Sequence, residues 1–332
     1  CYITYLFILI YLCHFISILC LYSHLLSLLY LIYRVNMPTG SPENIIDYRE
    51  RINSLLDISV PISKNDSTNL NAAMRYSVIN GGKRIRPLLI YTSGFCFNIK
   101  KNKLDVPAIA IELLHSFSLV HDDLPSMDDD DLRRGQPTTH KKFSEATAIL
   151  AADALQTLAF EVIADSKPLN NSEKVQIISL ISGACGSSGM TGGQSIDLAS
   201  EGKVLNKVEL HKLHSMKTAA LIHASIMSPF CLIEKVDQSI KKSMSDFGWS
   251  LGMAFQIRDD LLDIEESTEK LGKTANSDLK NKKATWPAMF GIEESYNYCD
   301  ELLMKCMRYL DTFDTEANSL RWLTNYLINR HH

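Results

Sequence analysis

At 332 residues the chain has room for about two average domains or for one large helical domain. Its 34 Lys and Arg against 38 Asp and Glu leave a net charge of −4, which excludes a general nucleic-acid binder whose affinity comes from phosphate neutralisation. Eight Cys are too few for a disulfide scaffold, and 15 Gly with 10 Pro exclude collagen-like or linker-rich architecture.

Residues 1–36 obey different rules from the rest. No Asp, Glu, Lys or Arg occurs before Arg34, whereas the remaining 296 residues carry 33 basic and 38 acidic groups. The segment is long enough to span a bilayer, but it has no positive charge ahead of its apolar run and no small-residue cleavage site after it. We read it as an upstream or start-site artefact, with a membrane anchor as the alternative, and place the functional domain at 37–332 in the cytoplasm without stable membrane association. The five Cys beyond residue 36 form no CxxC pair and read as reduced thiols rather than zinc ligands.

After Met37 no repeat and no strand-like alternation occurs, while apolar residues recur three and four apart. This spacing predicts helices over 69–79, 106–120, 146–164, 174–184, 207–227, 240–264, 296–310 and 319–328. Pro229 and Pro287 bound these stretches and interrupt none. Patches at Gly81-Gly82, Gly186 to Gly193 and Ser267 to Lys283 are expected between helices. The fold class is therefore all-α, one large bundle with no dividing linker.

Within this frame the first anomaly is HDDLPSMDDDDLRR, residues 121–134, with six Asp in ten residues directly after an apolar helix. Entry from apolar sequence and the two following arginines argue that these carboxylates face a cation-filled cavity instead of bulk solvent. Asp122, Asp123 and Asp128 offer the hard oxygens Mg2+ prefers. A regular helix would turn Asp128 about 240° from Asp122, so Pro125 must break the helix if the two converge. A second acidic group lies in FQIRDDLLDI, residues 255–264. There Asp259 and Asp263 are about 40° apart on one helical face, with Asp260 beside them and Gln256 one turn before. Carboxylates among so many apolar residues need metal or cationic partners. Two such groups facing each other could hold several Mg2+ ions and a diphosphate, which is metal-assisted chemistry on a leaving group.

Basic candidates are spread along the chain: GGKRIRP at 81–87 with Lys83, Arg84 and Arg86, then Arg133 and Arg134, Lys217-Thr218, Lys273 and Lys283. Together they could bind two diphosphates, one directly and one through Mg2+. His115 precedes Asp122 by seven residues, within about 20° of its face. Gly192-Gly193-Gln194-Ser195-Ile196-Asp197-Leu198 reads equally well as a close helix crossing. No GxxxxGK[ST] or GxSxG is present.

The ordered set GGKRIRP, DDLPSMD, RR, GGQSIDL, KT, FQIRDDLLD and the downstream lysines resembles the short-chain trans-polyprenyl diphosphate synthases, in particular the bacterial farnesyl diphosphate synthases, from about residue 41 to the C-terminus. The resemblance implies an all-α isoprenoid-synthase bundle around a central apolar cavity, a homodimer, and Mg2+-dependent head-to-tail condensation of isopentenyl diphosphate with dimethylallyl and geranyl diphosphate. It implies three Mg2+ on Asp122, Asp128 and Asp259, with Asp123, Asp260 and Asp263 completing those motifs. It assigns Lys83, Arg86, His115 and Arg134 to isopentenyl diphosphate. Arg133, Lys217, Thr218, Gln256, Lys273 and Lys283 then belong to the allylic diphosphate. Lys282 and Trp286 depart from the family pattern around Lys283. The family position of the length-setting aromatic is Phe117, and Ser118, four residues before Asp122, lines the tunnel without blocking it. The expected product is farnesyl diphosphate, with geranylgeranyl diphosphate as the alternative. A terpene cyclase would not need GGKRIRP and His115, and a non-catalytic subunit would not need both acidic motifs.

Overall fold

A computed structural model describes residues 42–62, 68–270 and 284–330. Residues 1–36, Lys273 and Lys283 lie outside these, and the roles assigned to them above are not addressed by the structure. The chain divides into units Cys1–Ile46 and Asp47–His332; the second carries the architecture described below.

Helices account for nearly all regular structure: α1 (Glu43–Ser59), α2 (Leu70–Ile79), α3 (Ile85–Phe95), α4 (Lys101–Asp122), α5 (Thr139–Lys142), α6 (Glu145–Ala164), α7 (Asn171–Cys185), α8 (Met190–Ser200), α9 (Lys207–His214), α10 (Ala220–Met227), α11 (Gln238–Lys270), α12 (Trp286–Phe290), α13 (Ile292–Tyr309) and α14 (Asn318–Asn329). Local chemistry starts several of them. Ser144 caps α6 by accepting from the Thr147 N–H. Asn170 with Glu173, and Asn206 with Glu209, form reciprocal capping boxes on α7 and α9.

Helix α4 is apolar on nearly every face, and such a helix belongs in the middle of a bundle. It is 83% buried over its most apolar stretch and packs most extensively on α6 and α3. Around it, α11 packs on α13 and α10, and α10 returns to α3. The equally apolar α6 is only 39% buried, which leaves Ile149 and Leu150 facing outward.

The predicted all-α class holds, and the elements depart from the predicted stretches in five ways. Helix α4 begins at Lys101, not Val106, so Pro107 lies inside it. The turn ahead of Pro107 is kept helical by tertiary contacts: Asp105 accepts from Arg51 at 2.5 and 2.7 Å and from Tyr91 at 2.7 Å. Gly192 and Gly193, expected between helices, lie inside α8. The run 207–227 is divided by a π-helical segment, Ser215–Ala219. Helices α1, α3, α5 and α12 lie outside the predicted stretches, and a two-residue hairpin pairs Leu132–Arg133 with Gln136–Pro137. Its loop residues Arg134 and Gly135 both have positive φ, 53° and 73°, the turn whose twist suits a hairpin.

Candidate active site

Asp122 is the last residue of α4. Beyond it the chain does not continue as a helix. The Asp128 N–H donates to the Asp122 carbonyl at 2.8 Å and the Asp129 N–H to the Leu124 carbonyl at 3.1 Å. The loop around Pro125 thus curls Asp128 back over Asp122, as convergence of the two carboxylates requires. Burial pushes the Asp122 carboxyl up to about 7; Lys217 opposes this shift, while Asp128 reinforces it. A cation held against that position would favour its ionised form.

Asp123 points the other way. It is 2% exposed and accepts from Arg133 Nε at 2.7 Å and Nη2 at 2.5 Å, so this part of the first motif fastens the hairpin to the end of α4. Burial nonetheless pushes the Asp123 carboxyl up, with Arg133 pulling against it. Arg133, expected on a diphosphate, is in this structure the partner of Asp123 and lies 3.6 Å from Asp130.

The second acidic group divides similarly. Asp260 is 4% exposed and fully engaged: Gln256 Nε2 donates to it at 2.8 Å, the Trp286 N–H at 2.9 Å, and His214 Nε2 lies 3.6 Å away. Burial pushes its carboxyl up to about 7. Gln256 in turn accepts from the Thr218 hydroxyl. Asp259 is half-buried beside Asp260 and pairs with Arg330, while Asp263 is exposed. Burial raises the Asp259 carboxyl, and Arg330, Lys83 and Arg86 act against that rise. Lys83 and Arg86, from the GGKRIRP segment, therefore share electrostatic space with the second acidic group.

In that segment Gly82 has φ 123°, and a Cβ there would come within 3.0 Å of the Arg134 guanidinium. Arg134 reaches the Gly81 carbonyl at 2.5 Å. Burial lowers the Arg86 pKa, and its Nε has no hydrogen-bond partner. His115 faces the same cluster; burial first, then Arg86, Arg134, Arg133 and Arg84, hold it well below the ordinary imidazole range, so it is neutral. Arg84 departs from the cluster, adopting a left-handed φ of 53° and turning inward to Glu112 at 2.7 Å, Asn53 at 2.8 Å and the Val78 carbonyl at 2.7 Å.

Lys217 and Thr218 sit in the π-helical segment, whose widened turn presents successive residues to Asp197 and to Gln256. A Cβ at Gly193 would lie 2.2 Å from the Lys217 backbone nitrogen, so the glycine pair is a close helix crossing. Asp197, mentioned in the sequence only as a carboxylate, pairs with Lys217. The Asp197 partner of Lys217, together with His214 and Arg330, is not identified from the sequence as part of the site. No spacing relation links positions 20 and 71 residues apart. Phe117 is 8% exposed with its ring edge-on to His121, 5.4 Å between centroids, and the Ser118 hydroxyl donates to the His115 carbonyl at 2.9 Å.

The family model described as polyprenyl synthetase matches residues 67–323, well over half of the chain. The chain belongs to the polyprenyl synthetase family. It is 38% identical to the farnesyl diphosphate synthase of Haemophilus influenzae, over 87% of this chain and 98% of that protein. It is 40% identical to the Escherichia coli farnesyl diphosphate synthase, over 80% and 90%. A geranylgeranyl pyrophosphate synthase of Arabidopsis thaliana is 37% identical over 87% of this chain and 77% of that one. Among solved structures, the geranyltransferase of Helicobacter pylori complexed with magnesium and isoprenyl diphosphate superposes with a TM-score of 0.76 at 32% identity, covering 89% of this chain and 98% of that one. An FPP/GFPP synthase of Zymomonas mobilis gives 0.77 at 33% identity, over 86% and 97%.

For a polyprenyl synthetase the donor set fits Mg2+. Asp122 and Asp128, brought together at the end of α4, and Asp259 on α11 offer hard carboxylate oxygens and no nitrogen or sulfur. Mg2+ is held in this way, by one or two carboxylates with water and substrate phosphate completing its shell.

Proposed function

We propose that this polyprenyl synthetase is a farnesyl diphosphate synthase, joining isopentenyl diphosphate head to tail first to dimethylallyl and then to geranyl diphosphate. One arrangement carries the reading: Lys83 and Arg86 act on Asp259 of the second acidic group while Arg86 and Arg134 surround neutral His115, which leaves cations enough for a second diphosphate without metal. Asp122, Asp128 and Asp259 would hold three Mg2+ ions, which would supply charge neutralisation to the departing diphosphate. Lys217, drawn from Asp197, and Thr218 with Gln256 orient that diphosphate. Arg86 and Arg134 clamp the isopentenyl diphosphate, and His115, being neutral, donates one ring N–H to it. The allylic C–O bond breaks, the isopentenyl double bond attacks the resulting carbocation, and the released diphosphate takes the proton lost from the adduct. The apolar bundle excludes water that would quench the cation, and Phe117 closes the space available to the growing chain.

The 37% identity to a geranylgeranyl pyrophosphate synthase keeps a C20 product as the second reading. Labelled isopentenyl diphosphate with each allylic starter, followed by product sizing, decides between them: C15 supports the proposal and mainly C20 overturns it. Phe117→Ala should lengthen the product and Ser118→Phe shorten it towards C10. Asp122→Ala and Asp259→Ala should each reduce turnover by orders of magnitude with the helical fold intact, and full activity in either variant or in excess chelator would sink the metal assignment.

We further propose that residues 37–332 act in the cytoplasm as a homodimer. The support for the dimer is α6, an apolar helix left more than half uncovered in the single chain.

A further inference from the structure

Arg330 is remote in sequence from every motif, yet it is 5% exposed and touches the second acidic group. Its guanidinium pairs with Asp259 Oδ1, lies 4.2 Å above the Phe255 ring and donates to the Leu327 carbonyl at 2.7 Å. Its main chain is held separately: the Arg330 carbonyl accepts from Arg258 Nε at 2.9 Å and Nη2 at 2.6 Å. Arg258 is itself 4% exposed and fixed by the Tyr296 hydroxyl at 3.0 Å. Two neighbouring residues of α11 therefore grip the same C-terminal residue, Arg258 by its backbone and Asp259 by its side chain.

The consequence is electrostatic. Asp259 sits where burial disfavours a bare carboxylate, and Arg330 satisfies it with a protein cation. A divalent ion approaching that oxygen to about 2 Å meets a guanidinium already in place, and two cations cannot share one lone-pair region without strong repulsion. Because Arg258 holds only the backbone carbonyl, the Arg330 side chain can leave Asp259, and the C-terminal turn then loses one of its two tethers to α11 and is held by the Arg258 contact alone. We propose that Arg330 is a resident counter-cation that competes with the divalent metal for Asp259, so that metal loading of the second acidic group displaces its side chain. The inference rests on the reading of Asp259 as a metal ligand. Linkage makes the effect reciprocal: what weakens the Arg330 contact tightens metal binding, and metal loosens the contact.

The test is Mn2+ binding to the full chain without substrate, followed by electron paramagnetic resonance of the free ion. Arg330→Gln, which leaves a shorter polar side chain and removes the charge, should bind Mn2+ about ten-fold more tightly, and Arg330→Lys should stay near wild type. In hydrogen-exchange mass spectrometry of the wild type, Mn2+ should speed exchange in the peptide containing Arg330, an effect lost in Asp259→Asn. This second measurement decides the matter if Arg330→Gln fails to fold. Arg330→Gln binding Mn2+ at wild-type strength or more weakly, or C-terminal exchange unmoved by Mn2+, overturns the competition. If instead Asp259→Asn binds as many Mn2+ ions as wild type with equal affinity, the metal reading of Asp259 itself fails, and the competition with it.

Discussion

Lys83, Arg84 and Arg86 are near neighbours in sequence and have different physical fates. Lys83 is exposed and acts on Asp259, Arg86 is turned towards His115, and Arg84 is buried against Glu112 with both side chains 3% exposed or less. Breaking a buried pair by removing one partner leaves the other charge uncompensated, so Arg84→Ala should cost about 3–5 kcal/mol in urea unfolding. Lys83→Ala should stay within about 0.5 kcal/mol of wild type while raising the KM for isopentenyl diphosphate. A second residue-level effect concerns pH. His223 is stacked on Trp249 at 4.4 Å and hydrogen-bonded to Ser245 at 2.9 Å, and burial holds its pKa at about 4, below the ordinary 6.5. The folded state therefore binds fewer protons than the unfolded chain. Stability from this site is complete above pH 6.5 and falls as pH drops towards 4, by up to about 3 kcal/mol. His223→Gln should flatten that part of the stability-versus-pH curve measured by denaturant titration.

At the scale of elements, the π-helical turn between α9 and α10 and the glycines of α8 act as one device. Gly193 lets α8 rest backbone to backbone on the turn that carries Lys217, and Asp197 then reaches the lysine from the same helix. Gly193→Ala adds a methyl that must push the two apart, which should destabilise the protein by about 1–3 kcal/mol. It should also lower kcat by displacing Lys217, both effects being read from thermal unfolding and steady-state kinetics. The break after α4 is the counterpart on the acidic side. Pro125 ends the helix so that Asp128 can return over Asp122, and Pro125→Ala should reduce turnover far more than it reduces stability, because it frees the chain to continue as helix.

For the whole molecule, the burial of α4 and the partial exposure of α6 divide two helices of similar apolarity into a core element and a surface element. A single outward charge on the latter tests the assembly reading. Leu150 is 58% exposed, so Leu150→Glu should leave the monomer fold intact and shift the mass seen by light scattering from dimer to monomer. An unchanged mass would place the subunit contact elsewhere.

Residues close in sequence carried most of what could be read without a structure. Helical periodicity exposed the all-α class, and clustered charge in DDLPSMD, FQIRDDLLD and GGKRIRP exposed both acidic groups and a basic pocket, because spacing along a helix maps directly onto a face. Even the need for a break at Pro125 followed from the angle between Asp122 and Asp128. The division of labour within each motif did not follow from spacing. Asp123 and Asp260 look equivalent to Asp122 and Asp259 along the chain, but burial and the partners Arg133, Gln256 and Trp286 set them apart as fasteners. Asp197 and Arg330 gained their roles only when remote helices brought them to Lys217 and Asp259. Ion pairs form through space, and their energy depends on burial and distance, two quantities that exist only once the chain has packed.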